Sequence, residues 1–488
     1  MKEPTASDAR PLWPVFLVTS LGAFLVSLDL SIVNVAFPAL MGAFPDASRA
    51  DLSWIVTAYS IVFGSLLVIG GRTGDRLGLR KVFFAGLGTF SLGSALCGAA
   101  PSVGLLIAGR VLQGAGAAFL LPASVGLLLA SVSPARRSQT VALWGGVSAL
   151  AVAAGPSLGS VLVAGPGWRA AFYVNLPVGV LAYLWGRKVL PSPAAHSGER
   201  EQRPDYLGAA LLSLALGALA LGISELERRG FTDPLVLAPL GVAPLLLAAF
   251  IRRSARHPAP VLDLSLFRAE SFRIANLATL AYAMAFFAVL LGNILFLTEV
   301  WHYSITRAGL AVTPGPLVVA VVSGFAGRTA ARIGFRAVLV PGSACFAAAL
   351  GWFALRVGAE PAYLTQWLPG TLLMGVGIGL SFPVLSAAAV SSLPAARFGV
   401  GSAVNQTARQ VGGAIGVAIL VAILGEPGRS GSALVRFEHM WTYAAGMAAL
   451  SGLIALRIRQ PRTAAVTVPT PVPQLQAAGA RVNVDELG

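Results

Sequence analysis

The chain has 488 residues, of which 56% are hydrophobic and only 11% charged, with a formal net charge of +15. A soluble domain carries about a quarter charged residues, so at a mean hydropathy of +0.77 most of this apolar material must face lipid. The basic residues lie in short loops between apolar spans. That excludes a nucleic-acid-binding face and fits the positive-inside rule.

A segment with Lys2 and Arg10 opens the chain like a signal sequence. The apolar run behind it is long, contains Asp29 and is followed by many more, so it reads as an uncleaved first helix. Fourteen stretches approach the ~20 residues that a helix needs to cross a bilayer: 13–37, 52–71, 82–99, 103–123, 140–164, 171–189, 206–224, 234–251, 274–298, 308–326, 337–355, 364–386, 401–424 and 440–456. None alternates like the strands of an outer-membrane barrel. The expected fold is an all-α polytopic membrane protein. An even count puts both termini on one side. With the N-terminus inside, Arg72, Arg76, Arg80, Lys81, Arg187, Lys188, Arg252, Arg253, Arg328, Arg332 and Arg336 are cytoplasmic. Arg49, Arg169, Arg228, Arg229 and Arg307 fall outside, roughly 25 basic residues against roughly 8 in all.

An internal repeat runs through the chain in one orientation. GRTGDRLGLR from Gly71 returns as GRTAARIGFR from Gly327. Gly114, Gly116 and Pro122 return as Gly375, Gly377 and Pro383, and Pro134-Ala-Arg-Arg as Pro394-Ala-Ala-Arg. Parallel halves related by an axis along the membrane normal are a transporter architecture. The stretches 206–224 and 234–251 have no partner in the repeat and read as an insertion. The expected division is an N-terminal tail at 1–12, a six-helix bundle at 13–190, a linker at 191–205, two inserted helices at 206–252, a second bundle at 253–457 and a disordered tail at 458–488.

Asp29 is the one acid well inside a span. An ionised carboxylate at that depth costs about 2.5 to 3.5 kcal/mol unless paired or hydrated, and burial favours its neutral form. Two readings stay open: a proton-coupling or substrate-linked group, and a structural partner for a buried arginine. Arg110, beside Gln113, is its candidate partner, as a charge switch or as a static ion pair. Asn405, Gln406, Arg409 and Gln410 form one polar stripe on a helix. With Asn34 and Gln113 they are the cavity candidates, against a purely structural role between helices. Asp75 stands among Arg72, Arg76, Arg80 and Lys81. With Gly71 and Gly78 it reads as a conformational latch at the cytoplasmic rim, or as ordinary topogenic charge. Gly155, Pro156 and Gly159 suit a hinge or close packing.

Cys97 and Cys345 sit alone inside spans as small core residues, and the four histidines lie apart. The three lysines stand in no phosphate-binding loop, so neither ATP nor a cofactor is expected. No nucleophile, base or metal constellation points to an enzyme.

In order along the chain, the motifs resemble those of the major facilitator superfamily, and among them the fourteen-helix drug:proton antiporters. Asp29 to Pro38 is similar to L-D-x-T-I-V-N-V-A-L-P. Gly71 to Lys81 resembles G-x-L-x-D-R-x-G-R-R. Arg110 to Gly116 matches R-x-x-Q-G-x-G. Gly155 to Gly159 resembles G-P-x-x-G-G. Trp168 to Gly179 is similar to W-R-W-x-F-x-I-N-x-P-x-G. The departures are Ser31, Thr73, Leu79, Ser160 and Ala170. The resemblance implies proton-coupled export of a lipophilic small molecule across a bacterial plasma membrane by alternating access. Its partners would be substrate, protons and the lipid bilayer. Export of a lipid or an endogenous metabolite such as an antibiotic, and a non-transporting membrane receptor or assembly partner, are the alternatives.

Overall fold

The computed structural model describes residues 12–133, 136–191, 204–394, 397–426 and 432–458. The expected tails, most of the 191–205 linker and parts of the repeated Pro-Ala segments lie outside them. All regular structure among the described residues is helical.

The first half comprises α1 (Leu12–Ala43), α2 (Arg49–Leu77), α3 (Leu79–Ala99), α4 (Val103–Ala130), α5 (Arg137–Ala164) and the pair α6 (Ala170–Tyr173) and α7 (Asn175–Val189). Next come α8 (Tyr206–Arg229) and α9 (Pro234–Ser254). The second half comprises α10 (Glu270–Glu299), the pair α11 (Ile305–Val312) and α12 (Pro314–Ile333), α13 (Phe335–Arg356), α14 (Leu368–Ser391), α15 (Phe398–Leu424) and α16 (Ala433–Ala455). Counting each pair as one span, fourteen helical spans occupy the fourteen apolar stretches.

Twelve described helices are long and apolar enough to cross a bilayer unaided. The other two fall below that measure for different reasons. The sixth span is broken at Val174, leaving α7 with 15 residues. The last, α16, carries Arg436, Glu438 and His439 in its opening turns. A second break, at Thr313, separates α11 from α12 where Pro314 and Pro316 remove backbone donors.

Polar residues set the helix ends. Ser48 and Asp51 form a reciprocal capping box at the start of α2. Asp205 and Asp233 cap α8 and α9. Between α2 and α3 the chain reverses at a single residue, Gly78, with φ of 92°, and the repeat does the same at Gly334, with φ of 101°. A side chain there would be strained, which is why glycine recurs at this position of the repeat.

In the first half α4 packs on α2 and α3, and α1 on α5 and α7. In the second half α14 packs on α12 and α13, and α10 on α15 and α16. Across the halves α2 meets α15, α5 meets α11 and α12, and α1 meets α10. Backbones approach closely because small residues stand at the crossings. A side chain at Gly93 would lie 2.6 Å from the Gln113 nitrogen, and one at Gly375 would lie 2.6 Å from the Gly315 oxygen.

Helix α8 packs on α9 and also against α2 and α15. Only 17% of the apolar window of α9 is buried, against 83% for α2. Leu235, Leu237 and Leu245 are exposed, as befits a surface that meets acyl chains. Cysteines placed at Leu237 and Leu245 are expected to react with lipid-soluble maleimides and to resist charged thiol reagents, with or without substrate. Substrate protection of these positions would place α9 on the transport path.

Candidate functional site

The deepest polar cluster is built on four spans of the first half. Asp29 (α1), Arg110 and Gln113 (α4), Ser94 (α3) and Asn175 (α7) are each no more than 1% exposed. Arg110 Nη1 donates to Asp29 Oδ2 at 2.6 Å. Gln113 Nε2 and Asn175 Nδ2 donate to Asp29 Oδ1 at 2.8 and 3.2 Å. Arg110 Nη1 also reaches Gln113 Oε1 at 2.7 Å, and Arg110 Nε donates to the Ile55 carbonyl at 2.8 Å. Ser94 Oγ accepts from Gln113 and Asn175 and donates to the Phe172 carbonyl at 2.8 Å. The Tyr59 ring lies under the guanidinium at 4.2 Å.

Both charges are thus removed from water and lipid together. Three side chains donate to the carboxylate as charge-assisted bonds. Close packing holds the geometry. A side chain at Gly114 would stand 2.8 Å from the Tyr59 carbonyl oxygen, so α2 and α4 approach more nearly than any larger residue would allow. Among the residues that sequence reasoning joined, Asp29, Arg110 and Gln113 come together. Asn175 and Ser94 went unrecognised as members. Asn175 stood in the quoted Trp168–Gly179 motif, and an amide inside an apolar span was the available signal.

The Gly155–Gly159 motif lies against the same stretch of α1. A side chain at Gly155 would collide with Ser31, and one at Gly159 would lie 3.3 Å from the Ile32 Cα. Ser31 Oγ donates to the Val152 carbonyl at 3.1 Å. On its other side the motif meets α11: a side chain at Gly309 would lie 2.5 Å from the Pro156 oxygen. One residue on, Ser157 Oγ bonds Thr313 Oγ1 at 2.7 Å. The helix continues through Pro156. The motif therefore links the helix that carries Asp29 to the opposite half.

The other cavity candidates separate. Asn34 Nδ2 turns back to the Leu30 carbonyl of its own helix at 2.6 Å and does not reach Asp29. Asn405 joins α15 to α10 through Asn276 and Thr279. Gln410 is buried where α15 crosses α2 at Gly64, with neither amide atom hydrogen-bonded. Gln406 and Arg409 keep partial exposure. Arg409 donates to Ser386 Oγ at 2.8 Å and lies over the Phe382 ring at 4.5 Å.

The latch residues surround the Gly78 reversal. Asp75 and Arg76 are exposed in the last turn of α2. Gly71 faces Pro122 of α4, and Arg80 Nη2 donates to the Arg187 carbonyl at 2.7 Å. At the opposite end of α2, Arg49 is only 2% exposed. Its Nη2 donates to Glu299 at 2.8 and 2.9 Å, and its backbone N–H to Glu426 at 3.0 Å. This clamp between the halves was not anticipated, because no sequence pattern pairs residues 250 positions apart.

The second half repeats the deep cluster without its charge. About 260 residues beyond Asp29, Gln113 and Asn175 in the parallel repeat stand Asn293, Met374 and Trp441. Trp441 Nε1 donates to Asn293 Oδ1 at 2.9 Å, and Asn293 Nδ2 approaches the Met374 sulfur at 4.0 Å.

The sequence model described as Major Facilitator Superfamily matches residues 19–417 and 275–480. The puromycin resistance protein of Streptomyces alboniger is 34% identical over 488 residues, covering 94% of this chain and 93% of its own. The cephamycin export protein of Amycolatopsis lactamdurans is 33% identical over 450 residues, covering 92% of each. Among solved structures, an auto-inhibited peptide transporter of the POT family superposes with a TM-score of 0.66 at 16% identity, over 92% of this chain and 98% of its own.

Removing one partner of a buried ion pair strands the other charge, at about 3 to 5 kcal/mol. Arg110→Met is therefore expected to lower the thermal midpoint of the detergent-purified protein markedly, as followed by tryptophan fluorescence. Adding Asp29→Asn should recover part of the loss. Strictly additive effects of the two substitutions would show that the pair is not energetically coupled.

Proposed function

The chain belongs to the major facilitator superfamily, and from that premise we propose that it is a proton-coupled exporter of a lipophilic small molecule across the bacterial plasma membrane, working by alternating access. The single observation that carries the reading is Asp29, a buried carboxylate at mid-membrane held by one cation and two amides. An uncompensated charge at that depth is costly, so the coupling would run through the pairing of Asp29 with Arg110. Changing the distance between α1 and α4 then takes up or releases a proton. Export as the direction, and an antibiotic-like molecule as cargo, are supported by the names of the two relatives above. Export of an endogenous metabolite fits the same site.

Two six-helix halves, 13–190 and 253–457, with 206–252 inserted between them, would rock about the cargo. With both termini cytoplasmic, as the basic residues favour, Arg49, Glu299 and Glu426 would form an outer clamp that holds a state closed to the outside. The contacts of Pro156 with Gly309 and of Ser157 with Thr313 lie on that same side of Asp29. A motif packed on both α1 and α11 supports a path by which a change at Asp29 reaches the opposite half. Asp75 and Arg76 at the cytoplasmic rim act as the latch for the other state.

In vesicles with an imposed pH gradient, Asp29→Asn is expected to abolish gradient-driven efflux of a drug that the wild-type protein exports. Gradient-driven efflux at the wild-type rate by the variant would refute proton coupling at this residue. Asp75→Asn is expected to slow turnover severalfold with substrate affinity nearly intact, because the residue stands at the rim and its repeat counterpart is Ala331. A large loss of affinity at unchanged turnover would contradict the latch.

A further inference from the structure

We propose that Arg409 is the anion-recognising residue of the cargo site, and that the cargo is an aromatic molecule bearing an acidic group. The inference deepens the export reading and rests on it only for the direction of movement. Arg409 is the twelfth residue of α15, about 16 Å along the helix at 1.5 Å per residue, which is near mid-membrane. A guanidinium at that depth does not face acyl chains; it faces the bundle interior or water. Ser402, Gln406 and Arg409, spaced by four and three residues, share one face of α15. Ser402 is exposed and the other two are partly so. A polar, accessible strip therefore leads from the start of α15 down to Arg409.

The guanidinium is held for a partner that is not part of the chain. It gives one bond to Ser386 Oγ and lies on the Phe382 ring. Its Nε is buried without an acceptor. Among the described residues no carboxylate forms an ion pair with it. Asp29, the one acid deep in a span, is already engaged by Arg110, and nearer the helix ends Glu299 is engaged by Arg49 and Glu225 by Arg228 and Arg229. Among the described residues the interior thus presents an unmatched positive charge and no free negative one deep in a span to greet a cation. The planar fork of donors fits a carboxylate or sulfonate. Beside it, the half-buried Phe382 stands edge-on to the half-buried Phe286 at 4.8 Å, an aromatic edge that a flat apolar body can meet, with Tyr282 buried behind them at 5.1 Å from Phe382. Expelling an anion also draws on the membrane potential. An interior-negative potential of about 100 mV favours the outward movement of one negative charge by about fiftyfold.

The test uses the full chain in phosphatidylcholine nanodiscs and two probes with the same aromatic body, pyrenebutyrate and pyrenebutyltrimethylammonium. Binding is read by energy transfer from tryptophan, with empty nanodiscs subtracted. The wild-type protein is expected to prefer the anion by about tenfold or more, the worth of one charge-assisted bond. Arg409→Gln should lose that preference without weakening binding of the cation. Arg409→Lys, which keeps the charge and guards against misfolding, should retain a preference for the anion at reduced affinity. The proposal is overturned if the wild-type protein binds no anion above empty nanodiscs, or if Arg409→Gln binds it with wild-type affinity. Binding needs no gradient, so the two readings fail separately. Arg409-dependent anion binding without pH-driven efflux would refute proton-coupled export and leave this inference standing. Driven efflux of the cation alone would do the reverse.

Discussion

A carboxylate in the middle of a bilayer has to be neutralised, and at Asp29 the neutralising group is Arg110, 2.6 Å away. Much of the first half serves that constraint. Gln113 and Asn175 satisfy the second carboxylate oxygen, Ser94 holds both amides, and the Ile55 carbonyl takes Arg110 Nε. These groups come from five spans, so a shift of any of those helices has to re-pair or neutralise a buried polar atom. In a low-dielectric interior the loss of such a pairing is severe. The glycines at 93 and 114 follow from the same requirement, because they let the backbones approach until the side chains reach one another.

The two halves share an architecture but not a chemistry. The cluster of Asn293, Met374 and Trp441 keeps the geometry of the first-half site with uncharged groups, and an aromatic core surrounds it. Phe296, Phe353, Trp367 and Trp441 pack with ring centroids 4.8 to 6.4 Å apart. The charged residue of the second half that retains access at depth is Arg409, on a different helix. Charge that is locked and charge that is available are therefore placed in opposite halves. A motion of one half against the other changes what each of them meets.

The polar contacts between the halves run from one end of α2 to its middle, where Thr407 Oγ1 donates to the Gly64 carbonyl at 2.8 Å, and include the end of α5. Arg49 joins Glu299 and Glu426 at that end of α2, and Ser157 of α5 joins Thr313. Arg49 Nε and both polar side-chain atoms of Gln410 lie buried without partners along the α2–α15 seam. Unsatisfied polar groups at a seam weaken it, which would suit the rocking of the halves proposed above.

The sequence by itself determined the membrane class, the helical spans, the parallel repeat, and Asp29 and Arg110 as the charges that need explaining. Each of these follows from a local rule: span length from bilayer thickness, and the cost of a charge in hydrocarbon from its immediate surroundings. The Gly78 and Gly334 reversals were legible as repeated letters for the same reason, since backbone strain is local. The tertiary structure decided what depends on distance through space. It brought Asn175 and Ser94 to Asp29, turned Asn34 away to its own helix, and joined Arg49 to Glu299 across 250 residues. It also divided one polar stripe between three tasks, with Asn405 tying α15 to α10, Gln410 buried against α2, and Arg409 left accessible. Helical periodicity places side chains on a common face, but what that face meets is set by which helices pack beside it.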